Sequence, residues 1–138
     1  MIRISTAQIW VHDQDDALAF YTEKLGFEVR EDQRMGDFRW LTVSPPGQKD
    51  VAMILMPLRA GGMMDETTAN TLRALVEKGT FGAGVLATDD CQKTYEELSA
   101  KGVHFMQPPQ KRPYGVEALL RDDSGNWFSM TQRDPAAR

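Results

Sequence analysis

Hydrophobic and polar residues follow one plan in both halves of the chain: short alternating stretches flank a segment with helical spacing. In the first half, four stretches have the composition and alternation of strands. They cover Ile4 to Val11, Phe27 to Arg30, Phe38 to Val43 and Val51 to Met56. Between the first two, apolar residues recur at helical spacing from Ala17 to Leu25. This half therefore predicts a β-α-β-β-β unit.

Acidic and glycine residues mark where the first predicted helix begins and ends. Asp13 or Asp15 precedes the apolar residues and is suited to accept hydrogen bonds from the first free backbone N–H groups. Gly26 follows the last apolar residue and suits the left-handed turn that ends many helices. The turn-forming run Ser44-Pro45-Pro46-Gly47 then separates the last two strands of this half.

The second half repeats this plan at a constant offset, at which Asp13 corresponds to Asp89 and Gly26 to Gly102. The repeat predicts strands at Gly82 to Thr88, Val103 to Met106, Val116 to Arg121 and Trp127 to Gln132, and a helix from Cys91 to Ala100. Residues 122–126 predict a hairpin turn between the last two strands. The chain therefore predicts an α+β fold made of two β-α-β-β-β repeats.

Length and hydrophobic content predict a single domain, because 138 residues with 41% hydrophobic composition suffice for one core. It divides into repeat one at residues 1–58, a linker at 59–80 and repeat two at 81–133. Asp65 to Lys78 in the linker predicts an additional helix, which Gly79 ends. The sequence leaves open whether the linker, with Met63 and Met64, is a lid or an ordinary surface loop.

Charge and composition exclude several classes of function. The net charge is -4, and lysine and arginine are scattered, so we expect no nucleic-acid partner. The chain begins with strand-like residues and contains no apolar run of the roughly 18 residues that a membrane span needs. Cys91 is the single cysteine, which excludes an internal disulfide and fits a reducing compartment. We therefore expect a cytoplasmic protein without a membrane partner.

An ordered set of short motifs in both halves resembles one superfamily. The motifs are Val11-His12-Asp13, Phe20-Tyr21 and Leu25-Gly26-Phe27, then Phe81-Gly82, Thr88-Asp89-Asp90, Lys101-Gly102-Val103 and Asp123-Ser124-Gly125-Asn126. Together with the duplicated plan, they resemble the vicinal-oxygen-chelate superfamily of glyoxalases, bleomycin resistance proteins and extradiol dioxygenases. The resemblance covers nearly the whole chain. It implies a curved, cup-like mixed sheet with helices outside, a small-molecule ligand inside the cup, and a homodimer.

Many members of this superfamily bind a divalent metal through His, Gln or Glu in the first and last strands of each repeat. The resemblance places these four positions at Thr6, Ile54, Ala83 and Ser129. Hydroxyl groups are weak ligands for Fe, Ni, Zn or Mn, and the side chains of Ile and Ala contain no donor atom. We therefore expect no metal and no other cofactor, unless the ligands stand elsewhere.

Four other residues have side chains that suit a metal ligand or a catalytic group. Gln8 shares a strand face with Thr6, but it has no second ligand beside it. His12 lies at a strand-to-helix corner and His104 in a different strand, so we interpret both as hydrogen-bonded or solvated. Glu117 alternates with apolar neighbours. If buried, its raised pKa suits acid–base catalysis; the alternative is a salt-bridged or exposed carboxylate.

Strand alternation also predicts which side chains line the concave side of the cup. They combine large apolar side chains with amide and hydroxyl groups: Gln8, Trp10, Trp40, Ala52, Ile54, Met56, Ala83, Val85, Trp127, Ser129 and Thr131. Arg39 replaces Trp40 if the parity of that strand is shifted. Such a lining suits a flat, partly aromatic ligand, although Trp10 and Trp127 also fit the pattern of ordinary core residues.

A loop after Pro108-Pro109 provides two further candidate ligand residues. Arg112 is placed to meet an anionic ligand and Tyr114 to cover it, near the mouth of the cup in related proteins. The alternative interpretation is a loop without a role in binding.

Three functions compete on these observations. The first is a metal-free binding protein of the resistance or sequestration type, which holds a hydrophobic or aromatic ligand in pockets shared across a homodimer. The second is a metal-dependent enzyme, namely a glyoxalase-like lyase or isomerase or an extradiol dioxygenase. The third is a metal-independent enzyme that transfers protons through Glu117 or Tyr114. The missing metal ligands and the aromatic lining favour the first.

Overall fold

The computed structural model describes residues 1–136, which form two four-stranded mixed sheets and three α-helices. The first repeat contains β1 (Thr6–Val11), α1 (Gln14–Ala19), β2 (Glu28–Met35), β3 (Phe38–Ser44) and β4 (Ala52–Pro57). Helix α2 (Glu66–Glu77) lies between the repeats. The second repeat contains β5 (Gly82–Ala87), α3 (Cys91–Ala100), β6 (His104–Arg112), β7 (Gly115–Arg121) and β8 (Trp127–Arg133). The predicted α+β fold is confirmed.

The two sheets have the same topology. Sheet 1 has the strand order β1-β4-β3-β2, and sheet 2 has the order β5-β8-β7-β6. In each sheet the first and last strands of the repeat pair in parallel, and the other pairs are antiparallel. The repeat detected in the sequence therefore corresponds to two copies of one strand arrangement.

Helix α1 begins at the first of its two predicted caps. The Asp13 carboxylate accepts a hydrogen bond from the Asp16 backbone N–H at 2.9 Å, whereas Asp15 forms an ion pair with Arg39. The chain continues from α1 into a π-helical turn at Phe20–Lys24 and leaves it through Gly26, at φ 76°.

Helices α2 and α3 also begin at aspartate caps. Asp65 accepts from the Thr68 N–H at 2.7 Å, and Asp90 accepts from the Lys93 N–H at 3.0 Å. The predicted bounds of α3 are confirmed, and the linker helix lies where the sequence places it. Among residues 1–136, no helix combines the length and the apolar character that crossing a bilayer requires.

Two edge strands are longer than the sequence predicts. Strand β2 continues to Met35 through exposed residues that carry no apolar pattern. Strand β6 continues through Pro108 and Pro109 to Arg112, so the predicted loop at residues 112–115 is reduced to a turn at 113–114. Proline is tolerated there because β6 pairs only with β7, and a register shift between Gln107 and Gln110 spans both prolines.

One hydrophobic core joins the helix-facing sides of both sheets. Its strand residues come from sheet 1 and sheet 2 alike: Ile9, Val11, Leu41, Val43, Leu55, Ala118, Leu120, Phe128 and Met130. The buried Tyr21 connects the repeats, since its ring lies 6.4 Å from that of Phe128 and its hydroxyl donates to Asp122 Oδ2 at 2.8 Å. The side chains on the opposite face of each sheet lie outside this core.

Candidate functional site

The side of each sheet that faces away from the core is called here its cup face. In β1, the core contains Ile9 and Val11, so the alternate residues Gln8 and Trp10 lie on the cup face. The cup face of sheet 1 therefore begins with the residues that the sequence predicts.

A row of four side chains crosses the cup face of sheet 1. Gln8 is in register with Ile54, Ile54 with Thr42, and Thr42 with Glu31. Ile54 and Thr42 are buried, whereas Gln8 and Glu31 are exposed. Among the described residues, Thr42 Oγ1 is the single buried side-chain oxygen or nitrogen without a hydrogen-bond partner. Leaving such a group unpaired is unfavourable, so Thr42 marks a point where this face lacks a partner.

The neighbouring row on sheet 1 is aromatic and apolar. Trp10 is in register with Met56, and the Trp40 indole N–H donates to Glu31 Oε1 at 3.3 Å. Arg39, the alternative to Trp40, lies on the helix-facing side, where it is 7% exposed and forms ion pairs with two aspartates. Trp40 therefore lies on the cup face, and the shifted alternative with Arg39 there is not the one observed.

Strand β5 departs from the predicted alternation. A register shift between Gly82 and Gly84 turns Ala83 against the hydrophobic core, so Ala83 does not line the cup as predicted. Val85 is in register with Ser129 and is 72% exposed, which leaves a large apolar side chain uncovered on the cup face of an edge strand. Because of the shift, the Val85 side chain lies on the cup face of β5 and that of Ala83 does not.

Trp127 lies across the backbone of β5. A Cβ atom on Gly82 would stand 2.7 Å from the Trp127 ring, so only glycine leaves room for the indole at this position. Trp127 is half-buried and lies outside the core cluster that contains its neighbour Phe128. Trp10 likewise lies outside that cluster, so neither tryptophan is a core residue.

A polar network occupies the rest of the cup face of sheet 2, with Glu117 at its centre. Ser129 donates to Glu117 Oε2 at 2.6 Å, and the Oγ atoms of Ser129 and Thr131 lie 2.7 Å apart. Arg112 Nε lies 3.5 Å from Glu117 Oε1, while Arg112 Nη2 donates to Gln107 Oε1 at 3.1 Å. Thus the Arg112 side chain, predicted to meet an anionic ligand, is paired with Glu117 and Gln107.

These partners fix the charge of Glu117. The hydrogen bond from Ser129, with further hydrogen bonds from Tyr114 and Arg112 and the charge of Arg112, lowers the pKa of Glu117. Of the two interpretations of Glu117, the contact with Arg112 supports the salt-bridged carboxylate. The hydrogen bond to Glu117 raises the pKa of Tyr114, which keeps its phenol protonated.

His12 is hydrogen-bonded within the fold and His104 is exposed to solvent. The His12 backbone N–H donates to Ser124 Oγ at 2.9 Å, and its ring Nε2 lies 3.2 Å from the Arg73 carbonyl oxygen. His104 is exposed near the start of β6, in register with Arg121. Neither histidine lies in a row with Gln8 or Glu117, so they do not complete a metal site.

The residues at the four superfamily metal positions do not fit a metal. Ile54 and Ala83 have no donor atom, Thr6 offers a neutral hydroxyl, and the Ser129 hydroxyl is bonded to Glu117. In the part of the chain that is described, no three His, Cys, Asp or Glu side chains come together in a way that suits a metal ion. The four positions therefore offer no donor set that suits a metal ion.

Two cavities of the chain lie away from these faces. One, of about 370 Å³, lies between Phe20, Lys24, His104, Arg121 and Asp123. The other, of about 390 Å³, lies beside the N-terminal residues 3–5 and residues 49–51. Neither is lined by a predicted ligand residue, and in residues 1–136 no side-chain hydrogen bond joins the two cup faces. These two cavities are therefore separate from the predicted ligand residues.

Sequence reasoning missed three residues of these faces. Thr42 follows Trp40 by two positions, so the alternation that predicts Trp40 also places Thr42 on the cup face. Glu31 and Gln107 lie in the parts of β2 and β6 for which no strand was predicted. Their positions follow only from the pairing of the edge strands.

Two β-α-β-β-β repeats with the same strand order and one shared core are the arrangement that the motifs predict. A sequence model of the Glyoxalase/Bleomycin resistance protein/Dioxygenase superfamily matches residues 3–130. The chain belongs to this superfamily.

Solved structures and a curated relative agree with this membership. The chain is similar to UcmS2, with 50% identity over 96% of this chain and 98% of that chain, at a TM-score of 0.91. It is also similar to TnmS3, an antibiotic binding protein from Streptomyces sp. CB03234, with 27% identity over 97% of this chain and 98% of that chain, at a TM-score of 0.76. An uncharacterized protein of Bacillus subtilis (strain 168), YurT, is 36% identical over 96% of this chain and its own full length.

Proposed function

We propose that the protein binds a small organic molecule without a metal, as a resistance or sequestration protein does. The observation that carries this proposal is the composition of the cup faces. Side chains without metal-binding donors stand at Ile54 and Ala83, and the Ser129 hydroxyl is already bonded to Glu117. The competing functions, a metal-dependent lyase or isomerase or an extradiol dioxygenase, need the ligands that are missing here.

The aromatic side chains favour a flat, partly aromatic ligand. Trp10, Trp40 and Trp127 are half-buried on the cup faces, outside the core cluster. A ligand that stacks on these rings gains apolar contact with little loss of side-chain entropy, because the indoles are already held by neighbours such as Met56 and Gly82.

We propose that a second copy of the chain completes each cup. The two sheets share a core on their helix-facing sides, so in one chain their cup faces are directed away from this core. Val85 remains 72% exposed on the cup face of β5. Pairing the cup face of sheet 1 with sheet 2 of a partner would cover such apolar groups and produce two cups for each dimer.

Similarity supports a natural antibiotic as the ligand class. TnmS3 is an antibiotic binding protein, and the chain covers 97% of its own length against it. Flat aromatic antibiotics combine the stacking surface that the tryptophans require with polar substituents for the network around Glu117.

The experiment measures metal content and ligand binding on the untagged protein. Elemental analysis before and after incubation with iron, nickel, zinc and manganese is expected to show no stoichiometric metal. Titration with a panel of flat aromatic antibiotics, beginning with doxorubicin, is expected to quench tryptophan fluorescence without chemical change of the ligand. A tightly held metal, turnover of the compound, or a panel without any quenching compound would contradict the proposal. Trp10→Ala is expected to weaken the binding of the quenching compound, measured through that compound's own fluorescence, whereas the distant Glu97→Gln is not.

A further inference from the structure

The hydrogen bonds that join Thr131, Ser129 and Glu117 run in one direction, towards the Glu117 carboxylate. Glu117 is ionised and has no proton to donate, so Ser129 is the donor in their 2.6 Å hydrogen bond. A serine hydroxyl has a single proton, so Thr131 must be the donor in its 2.7 Å contact with Ser129. Both hydroxyl protons are therefore used within the protein.

At Glu117, Ser129 and Thr131, what remains free is the ability to accept hydrogen bonds, whereas the remaining donors of the network are N–H groups of Arg112 and Gln107. Thr131 Oγ1 retains its lone pairs but has no second proton. The Glu117 carboxylate offers about four acceptor positions. Ser129 and Arg112 use two of them, and the 3.5 Å contact from Arg112 is long. A ligand that meets Glu117, Ser129 and Thr131 therefore finds acceptors.

We infer that the Glu117 carboxylate recognises a hydrogen-bond donor on the ligand, a hydroxyl or amine group attached to its aromatic framework. The inference rests on the proposed function, because it concerns the same cup, and it specifies the ligand class as hydroxylated or aminated flat aromatics. The Glu117 side chain is 16% exposed, so it is shielded from bulk water but open to a ligand on the cup face.

The position of Glu117 relative to apolar side chains supports this role. It is in register with Thr131 on β8, and the adjacent row of sheet 2 contains Leu119 and Val85 on either side of Ser129. An aromatic framework would lie on the apolar row while its donor reaches the carboxylate. A hydrogen bond to a charged acceptor in such a site changes affinity by about 10- to 100-fold.

The test compares two compounds that differ only in this donor, umbelliferone and its methyl ether herniarin. Both are flat and fluorescent, and only umbelliferone has a hydroxyl proton. Affinities are measured at mildly acidic pH, where the phenol is protonated and Glu117 is ionised. Wild-type protein is expected to bind umbelliferone about 10-fold or more tightly than herniarin.

A matched pair of variants assigns the preference to Glu117. Glu117→Gln removes the charge and places an amide N–H at one acceptor position, so the preference for umbelliferone is expected to fall to about 2-fold or less. Glu97→Gln makes the same chemical change on the exposed side of α3 and is expected to retain the wild-type preference.

Each other outcome is decisive. Equal binding of the two compounds by the wild type overturns the inference and leaves the proposed function standing. An equal loss of affinity for both compounds in Glu117→Gln assigns Glu117 a structural role and also overturns the inference. If the wild type binds neither the coumarins nor any antibiotic of the panel, the proposed function fails as well. The comparison on the wild type needs no variant, so it holds even if Glu117→Gln does not fold.

Discussion

The Tyr21 hydroxyl donates a 2.8 Å hydrogen bond to Asp122 Oδ2, which joins the helical segment of the first repeat to the hairpin turn of the second. Asp122 also accepts hydrogen bonds through Oδ1 from the backbone N–H groups of Ser124, Gly125 and Asn126. The tyrosine therefore holds the turn that leads into β8, the strand that contains Trp127 and Ser129.

Removal of this hydroxyl is expected to destabilise the whole domain. Tyr21→Phe keeps the aromatic packing but takes one donor away from a buried carboxylate, at a cost of about 1 to 3 kcal/mol. Urea unfolding followed by far-ultraviolet circular dichroism measures the change. Tyr95→Phe on α3, whose ring packs on Phe105, serves as the control and is expected to change stability less. If the two variants lose the same free energy of unfolding, the Tyr21–Asp122 hydrogen bond does not contribute to stability as described.

Glycine at position 82 is expected to be required by the Trp127 indole. Gly82→Ala places a Cβ atom 2.7 Å from the ring, so the indole must move, and we expect a loss of about 1 to 3 kcal/mol and a shift in tryptophan emission. In a Trp127→Ala background the same substitution is expected to cost little, because the obstructing ring is gone. Additive effects in this double-mutant cycle would contradict the packing described.

The Thr42 hydroxyl is expected to lower the free energy of unfolding of the ligand-free protein. Its Oγ1 is buried without a partner, so Thr42→Val, which keeps the shape, is expected to raise the free energy of unfolding by about 1 kcal/mol. Thr94→Val gives the control, because Thr94 Oγ1 lies 2.7 Å from Thr88 Oγ1 and its loss is expected to be unfavourable. A destabilised Thr42→Val would show that the hydroxyl has a partner in solution.

The pKa of Glu117 predicts how acid affects stability. Its pKa in the folded protein is lowered from 4.5, chiefly by the Ser129 hydrogen bond, so the unfolded chain binds a proton more readily. The stabilising contribution is therefore complete above about pH 4.5 and is lost as the pH falls through the folded-state pKa. Chemical denaturation between neutral and acidic pH is expected to show a smaller acid loss for Glu117→Gln than for the wild type. Identical pH profiles would contradict the ionised network.

Periodicity and capping chemistry suffice to predict much of this fold. The aspartate before each helix and the glycine after the first are local signals, which is why α3 was predicted with its observed bounds. Alternation likewise places Gln8, Trp10 and Met56 on the cup face.

The errors arise where pairing overrides the local pattern. Ala83 turns to the core because of a register shift that the neighbouring residues do not predict. Strand β6 passes through two prolines because its outer edge needs no hydrogen-bond donors. The charge of Glu117 depends on Ser129, Tyr114 and Arg112, which only the folded sheet brings together.

Native mass spectrometry of the untagged protein with the panel antibiotic that binds most tightly tests the central claim most directly, because one spectrum reports subunits, ligand and metal together. The account predicts the mass of two chains with two intact ligand molecules and no metal. It also predicts that Trp10→Ala binds less of the ligand at the same concentration. A species that holds stoichiometric metal, a ligand-free dimer with every antibiotic of the panel, or a converted ligand would contradict metal-free binding in cups shared between two copies.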